Sequence, residues 1–158
     1  MATPDSRAVI RAGGPEDAVL LGRMIHDFNA EYGVTEPSAG QAAELARPQL
    51  ESGEVAVLFA GDRPDGFAQL RFRLSLYTPG PDALLEELWV LPDTRGRGVG
   101  RALLEAAMDL ARERGADRIE LNTSTDDDVA RALYESAGFT NEEGGPGGPS
   151  MLYYEREL

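Results

Sequence analysis

The stretch that decides the fold is EELWVLPDTRGRGVGR, residues 86–101. An apolar run ends at Pro92, and Gly96, Gly98 and Gly100 follow at alternate positions before a segment with helical periodicity. Glycines let the backbone turn sharply without Cβ clashes, so that several N–H groups can point at one spot. With the dipole of the following helix behind them, these groups form a site suited to an anion such as a pyrophosphate.

Arginines place positive charge in this turn at positions 95, 97 and 101, although the whole chain has a formal net charge of −13. This local reversal of sign favours an anion site over a turn that only connects two elements. A dinucleotide fingerprint has a different glycine spacing and lies in a larger parallel sheet. A Walker loop needs a lysine, and the chain has none. The pattern therefore indicates an anion site of another kind.

Composition predicts one domain over residues 1–158 and excludes several classes of function. The chain has no cysteine and one histidine, so we predict no disulfide, no thiolate nucleophile and no metal site. The acidic balance argues against nucleic-acid binding, and it is compatible with a cationic substrate or simply with solubility. No apolar run is long enough for a membrane span, and Met1 to Ala12 lacks the apolar core of a signal peptide. We therefore expect a cytoplasmic protein without a membrane partner.

Periodicity along the rest of the chain predicts an α/β fold with a mixed sheet. Residues 55–60 are an apolar run of strand length, turn formers occupy 61–66, and 67–76 alternate between polar and apolar residues. These features predict an antiparallel hairpin. The other predicted strands are 8–11, 83–91, 118–123, one that begins at 138–140 and a closing strand at 151–155; the predicted helices start at Pro15, at Gln41 (to Glu51), after the glycine turn (to Gly115) and at Asp127 (to Ser136).

Two segments resemble the motifs of the GNAT superfamily of N-acetyltransferases. Arg95, Gly98 and Gly100 match motif A, Arg/Gln-x-x-Gly-x-Gly/Ala, and residues 130–139, ARALYESAGF, resemble motif B, Ala-x-x-Leu-Tyr-x-x-x-Gly-Phe. The distance between them leaves room for one helix and one strand, and residues 151–158 resemble a common last strand of the family. The resemblance implies a single GNAT domain with a mixed, mostly antiparallel twisted sheet flanked by helices.

The resemblance also implies that acetyl-coenzyme A is the acetyl donor. Backbone amides of the glycine turn would hold its pyrophosphate, its pantetheine arm would pair along residues 89–91, and the Val90 amide would polarise the thioester carbonyl. Motif B often has Asn where this chain has Asp127, which leaves a coenzyme or water contact there open. The predicted donor-binding residues are Trp89, Val90, Leu91, Arg95, Gly96, Arg97, Gly98, Val99, Gly100, Arg101, Asp127 and Tyr134.

Acyl transfer to an amine needs a proton acceptor, because an amine with a pKa of about 10 is mostly protonated at neutral pH. Glu86 and Glu87 are the predicted bases; neighbouring strand residues point to opposite faces, so we expect only one of them to reach the acceptor. Tyr134 aligns with motif B, and the resemblance implies that its phenol donates to the coenzyme sulfur. Direct transfer requires no covalent enzyme intermediate, which agrees with the absence of cysteine.

The acidic composition fits a small cationic molecule with a primary amine, similar to a polyamine or an aminoglycoside. Three alternatives stay open: an acetyltransferase for protein amino groups, a non-catalytic acetyl-coenzyme A sensor, and a scaffold domain that binds no coenzyme. Dimerisation is common in the family, and the sequence indicates no interface. The predicted acceptor-binding residues are His26, Glu31, Tyr32 and Tyr77.

Overall fold

The computed structural model describes residues 8–158. Met1–Arg7 lie outside the described residues, and they make up most of the segment that we expect not to be a signal peptide. The chain divides into two compact units, one up to Glu120 and the other Leu121–Leu158. The single domain over residues 1–158 stays a prediction. No helix among residues 8–158 has the length and hydropathy needed to cross a membrane.

The first unit is built on a five-stranded sheet in the order β1-β2-β3-β4-β5. The first four strands pair antiparallel with their neighbours, and β4 pairs parallel with β5. The predicted mixed, mostly antiparallel α/β fold is thus confirmed. The elements are β1 Ile10–Ala12, α1 Ala18–Glu31, α2 Ala39–Ser52, β2 Val55–Ala60, β3 Gly66–Leu74, β4 Pro81–Val90, α3 Val99–Glu113, β5 Ile119–Glu120 and α4 Asp128–Ser136, with 3₁₀ turns at Pro15–Asp17 and Pro92–Thr94.

Local capping and one close approach define the α1–α2 pair. Ser38 caps α2 reciprocally with Gln41 at the N-terminus, and Gly53 ends the helix in a left-handed conformation. The helix therefore extends beyond the predicted residues 41–51 at both ends. Gly22 lies where α1 meets the start of α2, and a Cβ there would collide with the Ala39 carbonyl oxygen and lie 2.7 Å from the Ala43 nitrogen. The two helices can pack at this distance only because residue 22 has no side chain.

The strand β2 is buried at all six positions because helices cover both faces of the sheet. Val57 and Phe59 pack with residues of α1 and α2 in the main hydrophobic core. Side chains alternate along a strand, so Leu58 faces the other side, where α3 packs against β2, β3 and β4. Strand β2 is therefore packed on both faces, and the end of β4 leads through the glycine turn into α3.

The predicted strands near the C-terminus are wrong in extent. Only Ile119–Glu120 form β5, in place of 118–123; no strand begins at 138–140, and residues 151–155 form none. Within the second unit one antiparallel bridge, Glu142 to Ser150, stands where a closing hairpin was expected. Outside this bridge the Met151 N–H donates to the Asn141 carbonyl oxygen at 2.7 Å, but residues 138–140 and 152–155 have no further ladder partner within residues 8–158, which a strand requires.

Candidate active site

A β-bulge interrupts β4 at Glu86. Gln69 on β3 pairs with Glu87 and Leu70 pairs with Leu85, so Glu86 is the extra residue on the bulged strand. Bulges re-aim side chains and are enriched beside active sites. The regular alternation expected for neighbouring strand residues therefore does not hold at Glu86 and Glu87.

The Glu86 carboxylate is fully engaged by the neighbouring strand. Arg71 Nε donates to its Oε1 at 2.6 Å, and Gln69 Nε2 donates to its Oε2 at 2.7 Å. Arg71 also donates through Nη2 to Gln49 Oε1 of α2, at 2.8 Å. This network holds the bulge against β3 and α2. The sequence does not indicate the partners Gln69, Arg71 and Gln49, because no local pattern marks residues that meet across two strands and a helix.

Glu87 has a different environment. Its side chain is partly buried, and within residues 8–158 no hydrogen bond or ion pair engages its carboxylate. Burial, and secondly the negative charge of Glu86, raise the pKa of Glu87 to about 7. A carboxyl group with this pKa exchanges its proton near neutral pH, which is the property required of a general base.

The end of β4 presents a backbone donor on the side of the strand that faces β5. Pairing with β5 stops at Leu84, whereas β4 continues to Val90. The Leu91 N–H donates to the Asp65 carbonyl oxygen at 2.8 Å, on the β3 side of the strand. Successive N–H groups of a strand point to opposite edges, so the Val90 N–H points to the β5-side edge, where β5 does not engage it.

The sharp turn that the glycines predict forms at Gly96 and Gly98, whereas Gly100 lies within α3. Gly96 and Gly98 have φ angles of 77° and 81°, and a Cβ at either position would meet no atom within 4 Å. These glycines are therefore required by the left-handed conformation and not by lack of space. Gly98 begins α3 without a side-chain cap, and the first N–H groups of a helix have no intrahelical acceptor. This arrangement fits the pyrophosphate of a coenzyme.

Arg95 and Glu31 lie together although they are far apart in the sequence. Glu31 is the last residue of α1, and its Oε2 accepts from Arg95 Nη2 and from Trp89 Nε1, each at 2.8 Å. Arg95 Nε also donates to the Val90 carbonyl oxygen at 2.9 Å. The hydrogen bonds from Arg95 and Trp89 hold the pKa of Glu31 below its usual value.

The other predicted acceptor residues are spread along the first unit. His26 is half-buried, with Nδ1 3.4 Å from the Pro37 carbonyl oxygen, and Tyr32 is exposed and packs edge-on against Phe28. Tyr77 lies before the first residue of β4, whereas Glu87 lies six residues into that strand, roughly 20 Å along it. The structure thus brings Glu31 and Tyr32 to the end of α1 and leaves Tyr77 at the opposite end of β4.

Two predicted residues belong to the second unit. Asp127 caps α4, with its Oδ1 accepting from the Ala130 N–H at 3.0 Å. Tyr134 lies on α4, partly buried, with its ring centroid 6.0 Å from that of Phe139. The helix therefore begins one residue after the predicted start at Asp127, and the sequence motif around Tyr134 forms a helix followed by a turn.

The sequence profile of the Acetyltransferase (GNAT) family matches residues 21–139. The chain belongs to this family and is an N-acetyltransferase. The mycothiol acetyltransferase of Beutenbergia cavernae is 48% identical over 69 residues, which are 42% of this chain and 23% of that enzyme, so the chain spans about a quarter of its length.

Two further proteins are similar over most of their length. The aminoglycoside N(6')-acetyltransferase type 1 of Stenotrophomonas maltophilia is 32% identical over 145 residues, 87% of this chain and 90% of that enzyme. The crystal structure of a candidate acetyltransferase from Arthrobacter sp. FB24 has a TM-score of 0.89 and 43% identity, covering 99% of this chain and 100% of that one. These similarities agree with the fold and with the chemistry of the family.

Proposed function

We propose that this chain transfers an acetyl group from acetyl-coenzyme A directly to the primary amine of a small cationic molecule. The observation that carries the proposal is Glu87, a partly buried carboxyl group without a hydrogen-bonding partner in residues 8–158 and with a pKa of about 7. It lies in β4 ahead of the Val90 N–H and the glycine turn, so a proton acceptor and an anion site belong to one continuous segment.

The residues of the glycine turn and the start of α3 would hold the donor. The GNAT family uses acetyl-coenzyme A, which supplies the acetyl group as a reactive thioester. Backbone N–H groups between Gly96 and Arg101 would bind its pyrophosphate, with the helix dipole and the arginine side chains adding positive potential. The Val90 N–H, on the β5-side edge of β4, would donate to the acetyl carbonyl oxygen.

Glu87 would remove the proton from the acceptor amine. Its carboxylate is available above about pH 7, whereas both oxygens of Glu86 accept hydrogen bonds from β3 side chains. Glu86 would instead act through its charge, which favours the protonated form of Glu87 at lower pH. Tyr134 would donate a proton to the departing sulfur, and changing it to Phe would then lower turnover with little change in donor affinity.

The proposed acceptor class rests on charge and on one relative. The chain has a formal net charge of −13, and an acidic surface raises the local concentration of cations. A relative similar over most of its length is named for acetylating an aminoglycoside amino group. An aminoglycoside or a polyamine is therefore the first acceptor to test.

The test is a panel of amines incubated with acetyl-coenzyme A, with free thiol release followed by absorbance and products identified by mass spectrometry. The panel contains aminoglycosides, polyamines and peptides with a free N-terminus or lysine. Acetylation of a small cationic amine supports the proposal, and acetylation of peptides alone would assign the chain to protein amino groups. Calorimetric binding of acetyl-coenzyme A without transfer to any amine would favour a sensor, and no binding would contradict donor use.

A further inference from the structure

Glu31 joins three parts of the first unit in one contact. Its Oε2 accepts from Trp89 in β4 and from Arg95 in the glycine turn, while Arg95 Nε donates to the Val90 carbonyl oxygen. The end of α1, the end of β4 and the start of the turn are therefore linked by hydrogen bonds of 2.8–2.9 Å.

The position of Glu31 is unfavourable for α1 alone. A negative charge at a helix C-terminus opposes the helix dipole. The side chain is 27% exposed; its hydrogen bond from Trp89 is partly buried, and that from Arg95 is exposed. The favourable interactions of this carboxylate thus come from β4 and the turn, which points to a role there.

We propose that Glu31 is a positioning residue of the donor site: it holds Arg95 against the Val90 carbonyl and so fixes the end of β4. The inference rests on the proposed use of acetyl-coenzyme A. A residue in extended backbone presents its N–H and its carbonyl on the same edge, so a contact that holds the Val90 carbonyl also restrains the direction of its N–H. That N–H is the group proposed to contact the acetyl carbonyl.

This role differs from the acceptor contact that the sequence suggests for Glu31. The charge of Arg95 compensates that of Glu31, which reduces the attraction of this carboxylate for a cationic amine. A positioning role predicts that loss of the carboxylate weakens donor binding. An acceptor contact predicts that the same change raises the KM for the amine and leaves donor affinity unchanged.

The first experiment compares Glu31→Gln with Asp27→Asn by calorimetric titration with acetyl-coenzyme A. Glutamine keeps an oxygen for Trp89 and removes the charge that pairs with Arg95. Asp27 is exposed one turn earlier on α1, so its variant matches the change in net charge without these contacts. We expect Glu31→Gln to raise the Kd by about 3- to 10-fold, with less than about 2-fold change in amine KM, and Asp27→Asn to leave both unchanged.

Two further measurements test whether Glu31 acts through its contacts with Arg95 and Trp89. If Glu31 acts through Arg95, adding Glu31→Gln to Arg95→Gln should raise the Kd little beyond the value for Arg95→Gln alone. The chain has one tryptophan, so its fluorescence reports on Trp89 directly. We expect Glu31→Ala to shift the emission maximum of the protein without ligand, and Asp27→Asn to leave it in place.

An unchanged or lower Kd in Glu31→Gln overturns the inference, as does full additivity with Arg95→Gln. A raised amine KM with unchanged donor affinity would assign Glu31 to the acceptor instead. Failure of the wild-type protein to bind acetyl-coenzyme A would overturn the proposed function, and the inference with it. The wild-type titration therefore separates failure of the inference alone from failure of both.

Discussion

Two glutamates near the end of β4 have opposite surroundings. Glu31 accepts hydrogen bonds from Arg95 and Trp89, which lower its pKa. Glu87 is partly buried beside the negative charge of Glu86 and accepts no hydrogen bond within residues 8–158, so its pKa rises to about 7. The same side chain is thus an ionised anchor in one place and a titratable group in the other. Partners and burial, more than residue type, therefore decide which carboxyl group can exchange protons at neutral pH.

The largest expected effect comes from Glu87→Gln, which removes the proposed base. We expect kcat/KM to fall by about 10²- to 10⁴-fold, the range attributed to general bases. In the wild type, activity should rise with pH through about 7, because the base must be deprotonated, and this rise should be missing from the variant. Steady-state rates between pH 5.5 and 9 check both points.

Glu105→Gln is the matched control for that experiment, since it alters an exposed glutamate on α3 and should leave rate and pH profile unchanged. If Glu87→Gln keeps both the wild-type rate and the rise near pH 7, Glu87 is not the base.

The same Glu87→Gln change should stabilise the fold at high pH. A pKa of about 7 in the folded protein, against a usual value of 4.5, means that ionised Glu87 disfavours the native state. Its contribution is most favourable below pH 4.5 and is lost as pH rises through about 7. We expect the free energy of unfolding of the variant, relative to wild type, to be higher at pH 8 than at pH 4.5 by about 1–3 kcal/mol.

Urea unfolding at both pH values provides this measurement, and it compares each variant with the wild type at the same pH. A relative stability that does not increase between pH 4.5 and 8 would argue that Glu87 is ionised without cost in the folded protein.

Glu86→Gln should have a smaller effect, namely a change in the pH at which activity rises. Removing the negative charge of Glu86 lowers the pKa of Glu87, so the rise in activity should move to lower pH. At pH 6 we expect the variant to retain a fraction of its maximal rate roughly 2- to 5-fold larger than the wild-type fraction. Asp82→Asn removes a negative charge near the start of the same strand and should leave the pH profile of activity unchanged. A profile that moves to higher pH would contradict the proposed influence of Glu86.

The smallest effect is expected for Glu31→Gln. Arg95 and Glu31 are partly exposed, so Glu31→Gln should lower the free energy of unfolding at pH 7 by less than about 1 kcal/mol. Because the pKa of Glu31 is lowered, this stabilisation is present above the usual value and is lost as pH falls through the folded pKa. Thermal unfolding at pH 7 and pH 3 should show a smaller difference between variant and wild type at pH 3 than at pH 7. An equal difference at both values would show that the ion pair does not cause it.

The local sequence pattern predicted an element correctly where neighbouring residues alone determine its structure. Strand β2 begins and ends where its apolar run does, and α4 begins directly after Asp127, which caps it. The chain turns sharply at Gly96 and Gly98, as the alternating glycines predict, whereas Gly100 lies in α3. Pattern failed at residues 151–155, because a strand needs a backbone partner and alternation of side chains does not provide one.

In the candidate site, too, some features can be predicted from the sequence and others depend on the tertiary structure. Residues 86–101 identify the glycine turn and the two candidate bases without any tertiary information, since motif and residue type suffice there. The bulge, the Arg71 contact to Glu86 and the separation of Tyr77 from Glu87 depend on how strands pair.

The amino-acid sequence by itself determined the family, the mixed sheet and the glycine turn, because these follow from local conformation and motif spacing. Only the tertiary structure distinguished Glu87 from Glu86 and assigned partners to Glu31. Burial and charge compensation depend on side chains that meet across the fold, such as Glu31 and Arg95, which are 64 residues apart. The pKa of a carboxyl group is set by those distant neighbours, and no local pattern encodes them.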